Sequence, residues 1–307
     1  MLRHNDHRKA LPQFLALAGG LLLALLAPGN AGAQSGSAPA TQAAARANDP
    51  LRGQQYVKPF RMIGNLYYVG LSNNTSFLIT TPEGHFLIDA IYETAVPQIR
   101  KNIEDLGFNI RDVKYVLNAH AHSDHVDGLA AMKEATGGLV PVMDGDVPVI
   151  EAGGEAARPA RWKPVKPDRI LHDGDTITLG GVTMTAHKTA GHTKGCTTWT
   201  TTIEDGGRKY NAVFICSMNS SNVGNLIGNA NYPNIAEDFA AAFAKLKAMP
   251  CEVFTVSHTA MFNMMDKMQK LSAGGPNPFI DPQGCKKYID DSERAYLDKL
   301  AKERAGQ

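Results

Sequence analysis

Residues 120–125 read His120-Ala121-His122-Ser123-Asp124-His125, and the rest of the chain is best understood outward from this run. Four of its six side chains are metal-binding types. In an extended segment successive side chains alternate faces, so His120 and His122 project together and can close on one cation. Asp124 and His125 then need a second centre. A turn beginning at Ser123 would swing those two away from the first pair and offer a carboxylate oxygen and an imidazole to another ion. The pattern therefore predicts a dinuclear site. Imidazole with carboxylate suits Zn²⁺ best, although iron and manganese accept similar donors.

The surroundings supply a scaffold. Val113–Leu117 is a short apolar run that reads as a buried strand, and Val126–Ala135 reads as a helix, so strand, metal loop and helix are consecutive. Upstream, Leu66–Val69, Ser76–Thr80 and His85–Asp89 are rich in β-formers and separated by turn residues, which predicts a meander. Between meander and metal loop, Val96, Ile99, Ile103 and Leu106 recur at helical spacing over Thr94–Leu106.

A similar order returns downstream. Strands are expected at Thr183–His187, Thr197–Thr202 and Tyr210–Ile215, then a helix over Ile235–Met249, capped by Asn234 with Glu237 three positions on. Phe239, Phe243 and Leu246 share its buried face. Val253–Val256 is a further short strand that delivers His258, and Asp290–Lys302 is a closing helix. Two strand groups, each flanked by helices, predict an α/β (α+β) fold in which two sheets pack face to face with helices outside.

A dinuclear site needs more donors than the cluster holds. Gly191-His192-Thr193 and Ser257-His258-Thr259 both follow expected strands, where loops converge on sites, and Gly191 permits a close backbone approach. His85, His172 and His187 read as structural or surface residues, with His187 also open to a supporting role behind a ligand.

At the amino terminus, Arg3, Arg8 and Lys9 precede an apolar Leu15–Ala27 and the small residues Ala31-Gly32-Ala33. This predicts a cleavable export signal over 1–33, too short to be a comfortable membrane anchor. Ala, Gln, Ser and Pro dominate from Gln34 to about Pro50, so residues 34–55 are expected to form a flexible leader and 56–307 one domain. Net charge is +1 with scattered basic residues, which argues against a nucleic-acid surface. Nothing in the sequence demands more than a monomer. Four cysteines in an exported chain allow three pairings. Cys251–Cys285 is the favoured bridge and closes a loop of about 35 residues. Cys196 and Cys216 lie equidistant from Gly206 and read either as a second bridge across a hairpin or as buried free thiols.

The cluster, the Gly191-His192-Thr193 loop and His258 together resemble the metallo-β-lactamase superfamily. Further details are similar to subclass B3: Pro59-Phe60, Tyr68-Val69-Gly70, Ile88-Asp89, Gly195-Cys196-Thr197-Thr198-Trp199 and Asn277-Pro278-Phe279-Ile280-Asp281-Pro282. The similarity runs from about Pro59 to the C-terminus. It implies a four-layer αββα sandwich of mixed sheets and two zinc ions in a groove at the sheet edge. One ion would be held by His120, His122 and His192, the other by Asp124, His125 and His258. It also implies the Cys251–Cys285 bridge. This chain departs from the family at Cys216, where relatives often carry Asp and where a cysteine could serve as a zinc ligand. A further departure is the stretch Ser217–Asn225, which lacks a tyrosine that some relatives use near the substrate. Ser217, Asn219, Ser221 and Asn225 are the substitute substrate contacts. The segment Asp144–Lys163 is short for the subclass.

The expected reaction is hydrolysis of a small-molecule β-lactam in the periplasm. Zinc brings the pKa of a bound water to about 7 and so supplies a nucleophile without a serine. Asp124 would orient that water, and the His120, His122, His192 ion would polarise the carbonyl. Serine-hydrolase, zincin and dinucleotide signatures are absent from the sequence. Two alternatives share the motif: a hydrolase of thioesters or lactones, and a non-catalytic periplasmic zinc-binding protein. Export and the C-terminal pattern favour β-lactams. Three protein ligands per ion leave an open position, which favours an enzyme.

Overall fold

The computed structural model describes residues 49, 51–154 and 160–306. The expected export signal, and the expected leader up to residue 48, lie outside the described residues. Strands β1 (Phe60–Ile63), β2 (Leu66–Tyr68), β3 (Phe77–Thr81) and β4 (Gly84–Ile88) form an antiparallel meander. After helix α1 (Val96–Asp105), β5 (Val113–Leu117) joins β4 in parallel, so the first sheet is mixed. Helices α2 (Ser123–Val126) and α3 (Leu129–Thr136) follow, then the short β6 (Pro141–Met143), α4 (Val147–Ala152) and β7 (Arg169–Leu171). Strands β6 and β7 pair with each other as a separate two-stranded sheet. The second main sheet has β8 (Thr176–Leu179), β9 (Val182–Lys188), β10 (Thr197–Asp205) and β11 (Arg208–Ile215) in antiparallel order. Helix α5 (Ile235–Ala248) then returns the chain to β12 (Val253–Val256), parallel to β11, before α6 (Met264–Ala273) and α7 (Pro282–Ala305).

Alternation along the strands builds the expected layers. Phe77, Ile79, Phe86 and Ile88 turn toward a core shared with Met184, Trp199, Ile203 and Phe214 of the second sheet. The intervening Leu78 and Leu87 face the opposite way, onto Ile99 and Ile103 of α1 and Leu129 and Met132 of α3. Phe239 and Phe243 of α5 stack on each other, with Tyr296 of α7 tilted against both, over the second sheet. Among the described residues, no helix is long and apolar enough to cross a membrane.

Several local expectations change. The single helix expected over Val126–Ala135 is broken at Gly128, whose N–H bonds Ile91 O instead of a helical carbonyl. A Cβ there would lie 2.5 Å from Ala90 O, so glycine lets the chain pass close over the Ala90–Tyr92 backbone. Asn234 makes no side-chain cap: its ψ of 19° is not the extended conformation that aims a cap at the first turn. Helix α7 starts well before Asp290, because Asp281 caps it through Gly284 N at 2.8 Å and Pro282 fits its first turn. Strands β1, β6, β7 and β8 and helices α4 and α6 were not anticipated. Residues 51–55, expected to belong to the leader, are held by polar contacts: Arg52 pairs with Asp127 and lies 4.0 Å over the Tyr92 ring, and Gln55 N bonds Ser72 Oγ at 2.8 Å. Apolar periodicity could not reveal such a segment.

All four cysteines are bridged. Asp205 pairs with Arg208 and Trp199 with Phe214, so the hairpin pivots between Gly206 and Gly207. Cys196 and Cys216 are therefore diagonal just beyond the ladder, not opposed, and bond with Cα atoms 5.8 Å apart. The free-thiol alternative does not hold, and Cys216 is not a metal donor. Cys251–Cys285 ties the chain entering β12 to α7. Replacing both Cys251 and Cys285 with alanine should lower the unfolding free energy by about 3–4 kcal/mol from loop entropy, read from urea denaturation. An unchanged midpoint would contradict this.

Candidate metal centre

The cluster leaves the C-terminal end of β5, and α2 begins at Ser123, so the predicted turn is a short helix. In it His125 N and Val126 N bond His122 O. His122 stays extended (φ −98°, ψ 149°) while Asp124 and His125 enter the helical turn, which separates the two pairs of side chains. His192 sits in the β9–β10 connection. There Gly191 has φ +138° and its missing Cβ would lie 2.6 Å from the Phe239 ring, so only glycine lets this loop close on α5. His258 follows β12 directly.

These donors converge as two groups, His120 with His122 and His192, and Asp124 with His125 and His258, each with its ligand atoms within 4.8 Å of one another. Within the first, ring centroids are 4.8, 4.7 and 4.7 Å apart and the planes nearly perpendicular, so three imidazoles surround one point. His120 and His125 bring the groups together at 4.3 Å. In the second, Asp124 Oδ2 lies 3.3 Å from His125 Nε2 and 3.5 Å from His258 Nε2.

Outer contacts decide which nitrogens are free. His192 Nδ1 donates to Asn219 O at 2.8 Å, and His125 Nδ1 meets Asp89 Oδ2 at 3.0 Å, so each leaves Nε2 available. Burial, reinforced by the neighbouring His125 and His192, pushes His120 well below the usual imidazole range. Burial likewise takes His192 down to about 3 and lowers His258. Their lone pairs are thus open to a cation. His125 goes the other way: burial would lower it, but Asp89 and Asp124 outweigh that and raise it to about 10. Burial works to raise Asp124 too, yet bonds and charges from His125, His258 and Asn74 hold it well below the carboxylate range.

A proton held between two carboxylates marks a position where positive charge is required. His125 Nε2 is buried and meets Asp124 Oδ2 only at 3.3 Å and outside good hydrogen-bond geometry, a shortfall that coordination would remove. The residues therefore fit a pair of cations bound by nitrogen and oxygen donors, with zinc the best chemical match.

Three contributors carry no assigned role at the site in the sequence, although Asp89 falls in the Ile88-Asp89 motif. Asp89, at the end of β4, has φ +67°, a strained value for a non-glycine residue. This conformation presents one carboxylate oxygen to Ala119 N at 2.7 Å and the other to His125. Asp146 joins the two ligand loops of the first group: it accepts from Ala121 N, Thr193 Oγ1 and Gly195 N, each at 2.8 Å. Burial raises its pKa to about 6 against those three bonds. Asn74 donates to Asp124 Oδ2 at 3.0 Å. Of these, only Asp89 had a sequence signal, its place at the end of a strand.

The substrate-contact candidates separate. Asn219 reaches the centre through its carbonyl, and its Oδ1 accepts from Ser221 N at 2.9 Å and Ser221 Oγ at 2.7 Å. Ser217 is buried and takes a long 3.4 Å bond from Asn219 N, so it shapes the turn. Asn225 is exposed, and its carbonyl accepts from Asn229. His187 bonds Thr200 Oγ1 at 2.8 Å across β9 and β10 and supports no ligand; His172 is exposed, and His85 packs edge-on against Phe108.

A family model described as the metallo-beta-lactamase superfamily matches residues 69–205. The FEZ-1 metallo-β-lactamase from Legionella gormanii is 42% identical, with a TM-score of 0.80 over 82% of this chain and 98% of that one. The chain belongs to the metallo-β-lactamase superfamily. Subclass B3 is supported by BJP-1 of Bradyrhizobium japonicum, titled a subclass B3 metallo-β-lactamase, at 36% identity and a TM-score of 0.76 over 82% of this chain and 97% of that one. Among curated proteins, the human mitochondrial persulfide dioxygenase ETHE1 is 28% identical over 113 residues, 37% of either chain. The chain thus spans little more than a third of that relative's length.

Since His125 keeps its proton up to about 10, a cation at its Nε2 must displace it. Uptake of the second ion should release close to one proton across neutral pH, so affinity rises with pH, up to about tenfold per unit. Calorimetric titration with zinc in buffers of different ionisation enthalpy reads this; heats independent of buffer would contradict it.

Proposed function

We propose that this protein is an exported zinc-dependent hydrolase that opens the β-lactam ring of antibiotics. The observation that carries the reading is the meeting of two three-donor groups at one edge of the sheets, in a chain similar along nearly its whole described length to metallo-β-lactamases. Three protein donors per ion leave each with an open position, the mark of a catalytic rather than a structural site. His120, His122 and His192 would hold one zinc, and Asp124, His125 and His258 the other. When bound, the pair supplies Lewis acidity toward a carbonyl and brings the pKa of water close to neutrality.

The chain's own residues orient and hold. Asn219 O fixes the tautomer of His192, and Asp89 does the same for His125. Asn74 holds Asp124, whose carboxylate stays ionised and orients the attacking water. Ser221 is exposed beside Asn219, and its hydroxyl, which here donates to Asn219 Oδ1, would turn to donate to the substrate carboxylate or carbonyl. The basic, apolar and small-residue order of residues 1–33 supports export to the periplasm, and two disulfides agree with an oxidising compartment.

Zinc-loaded protein should hydrolyse a chromogenic cephalosporin and a carbapenem, lose that turnover on exhaustive chelation, and regain it with added zinc. No turnover of either would defeat the reading, and cleavage of a thioester instead would move the protein to another branch of the superfamily. Binding of zinc with no hydrolysis of any of these would mark a metal-binding protein without catalysis.

A further inference from the structure

We propose that Gln54, in the segment ahead of β1, is a positioning residue for the second cation group, acting through Asn74 on Asp124; this rests on the two-zinc reading above. The loop Ser72–Ser76 lies between the two halves of that group. Its backbone is fastened beside His258: Asn74 bridges to His258, Thr75 N bonds Ser257 O at 3.2 Å, and Thr259 N bonds Asn73 O at 2.9 Å. Its one fully buried side chain amide, Asn74, donates to Asp124 Oδ2 at 3.0 Å and to Asp124 O at 3.2 Å. One residue thereby links the carboxylate from the first half of the chain to the imidazole from the second.

A primary amide can face either way, and only the donor end suits a carboxylate. Gln54 settles which end Asp124 meets. Its Oε1 accepts from Asn73 N at 3.2 Å and Asn74 N at 2.9 Å, two backbone donors that can meet only an oxygen. Its Nε2 must then point to Asn74 Oδ1, which it reaches at 2.6 Å. That oxygen also takes a longer bond from Asn73 Nδ2 at 3.4 Å, and with it occupied Asn74 Nδ2 is directed at Asp124. The polarity passes from backbone to Gln54, to Asn74, to Asp124, and no step can reverse alone.

The segment bearing Gln54 is anchored on both sides. Arg52 pairs with Asp127 and covers Tyr92, while Gln55 and Ser72 exchange bonds at 2.8 and 3.1 Å and Tyr56 bridges to Leu71. Gln54 is therefore held at the loop by its neighbours, and its substitution tests the amide alone.

Glutamate at this position keeps the shape and both acceptor bonds but loses the donor. Residue 54 then sets an acceptor against Asn74 Oδ1, and the amide escapes that only by turning its oxygen onto Asp124 Oδ2 and O, so two acceptors repel at one end or the other. Gln54→Glu should weaken the second zinc by about 10-fold or more, the range seen when partners behind a ligand are lost. Gln54→Ala leaves Asn74 free to keep its orientation and should cost less. The test is a stepwise zinc titration against a chromophoric chelator, with thermal unfolding of the zinc-free proteins alongside.

Support is a wild type that takes up two ions, with Gln54→Glu weakened at one step only, Gln54→Ala less so, and first-ion affinity unchanged in both. Equal loss at both steps, a loss in Gln54→Ala as large as in Gln54→Glu, or no loss would overturn the role of Gln54 while leaving the two-zinc reading intact. A wild type that binds fewer than two ions overturns both.

Discussion

Asp89 and Asp124 place two carboxylates on one buried imidazole, and that concentration of negative charge in a dry setting is the constraint from which the rest follows. Ionised groups are costly to bury without a counter-charge. A proton on His125 supplies it, and under the two-zinc proposal a divalent ion would take the same position and also gather His258. The first group is the opposite case. Its His120 and His192 are kept neutral by burial and the repulsion of neighbouring imidazoles, so they offer lone pairs without needing compensation. One centre thus combines a neutral donor set with an anionic one, an asymmetry that suits two ions with different duties.

Such crowding persists only if the donors are held from outside. Each comes from the end of a strand or the loop beyond it, on a scaffold whose alternating faces are closed by helices on either side. Cross-links then join the loops: Asp146 ties the cluster to the His192 loop, Asn219 O fixes His192 itself, and the Ser72–Ser76 loop fastens Asp124 to His258. The Cys196–Cys216 bridge lies between the His192 loop and the Asn219 turn, so a covalent bond steadies the two segments that meet at His192 Nδ1.

What could be read in advance was what is local or periodic. Four donors within six residues announce themselves, and His192 and His258 stood out because each follows an expected strand that ends in a loop. The layers were legible because β3 and β4 alternate while α1 and α5 keep helical spacing. Asn74, Asp146 and Gln54 were not, since a polar residue in a loop carries no period and its partner is 20 residues away for Gln54 and Asn74, 47 for Asp146 and Thr193. The break at Gly128 and the half-step in the β10–β11 hairpin were hidden for a related reason. Each depends on a backbone contact that exists only once the chain has folded.

The central claim is that six side chains bind two separate ions in one site. Anomalous diffraction from crystals of the zinc-loaded protein, recorded on both sides of the zinc absorption edge, tests it most directly. The account predicts two peaks, one bounded by His120, His122 and His192 and the other by Asp124, His125 and His258. A single peak at full zinc loading, or a peak whose ligands leave out His192 or His258, would contradict it.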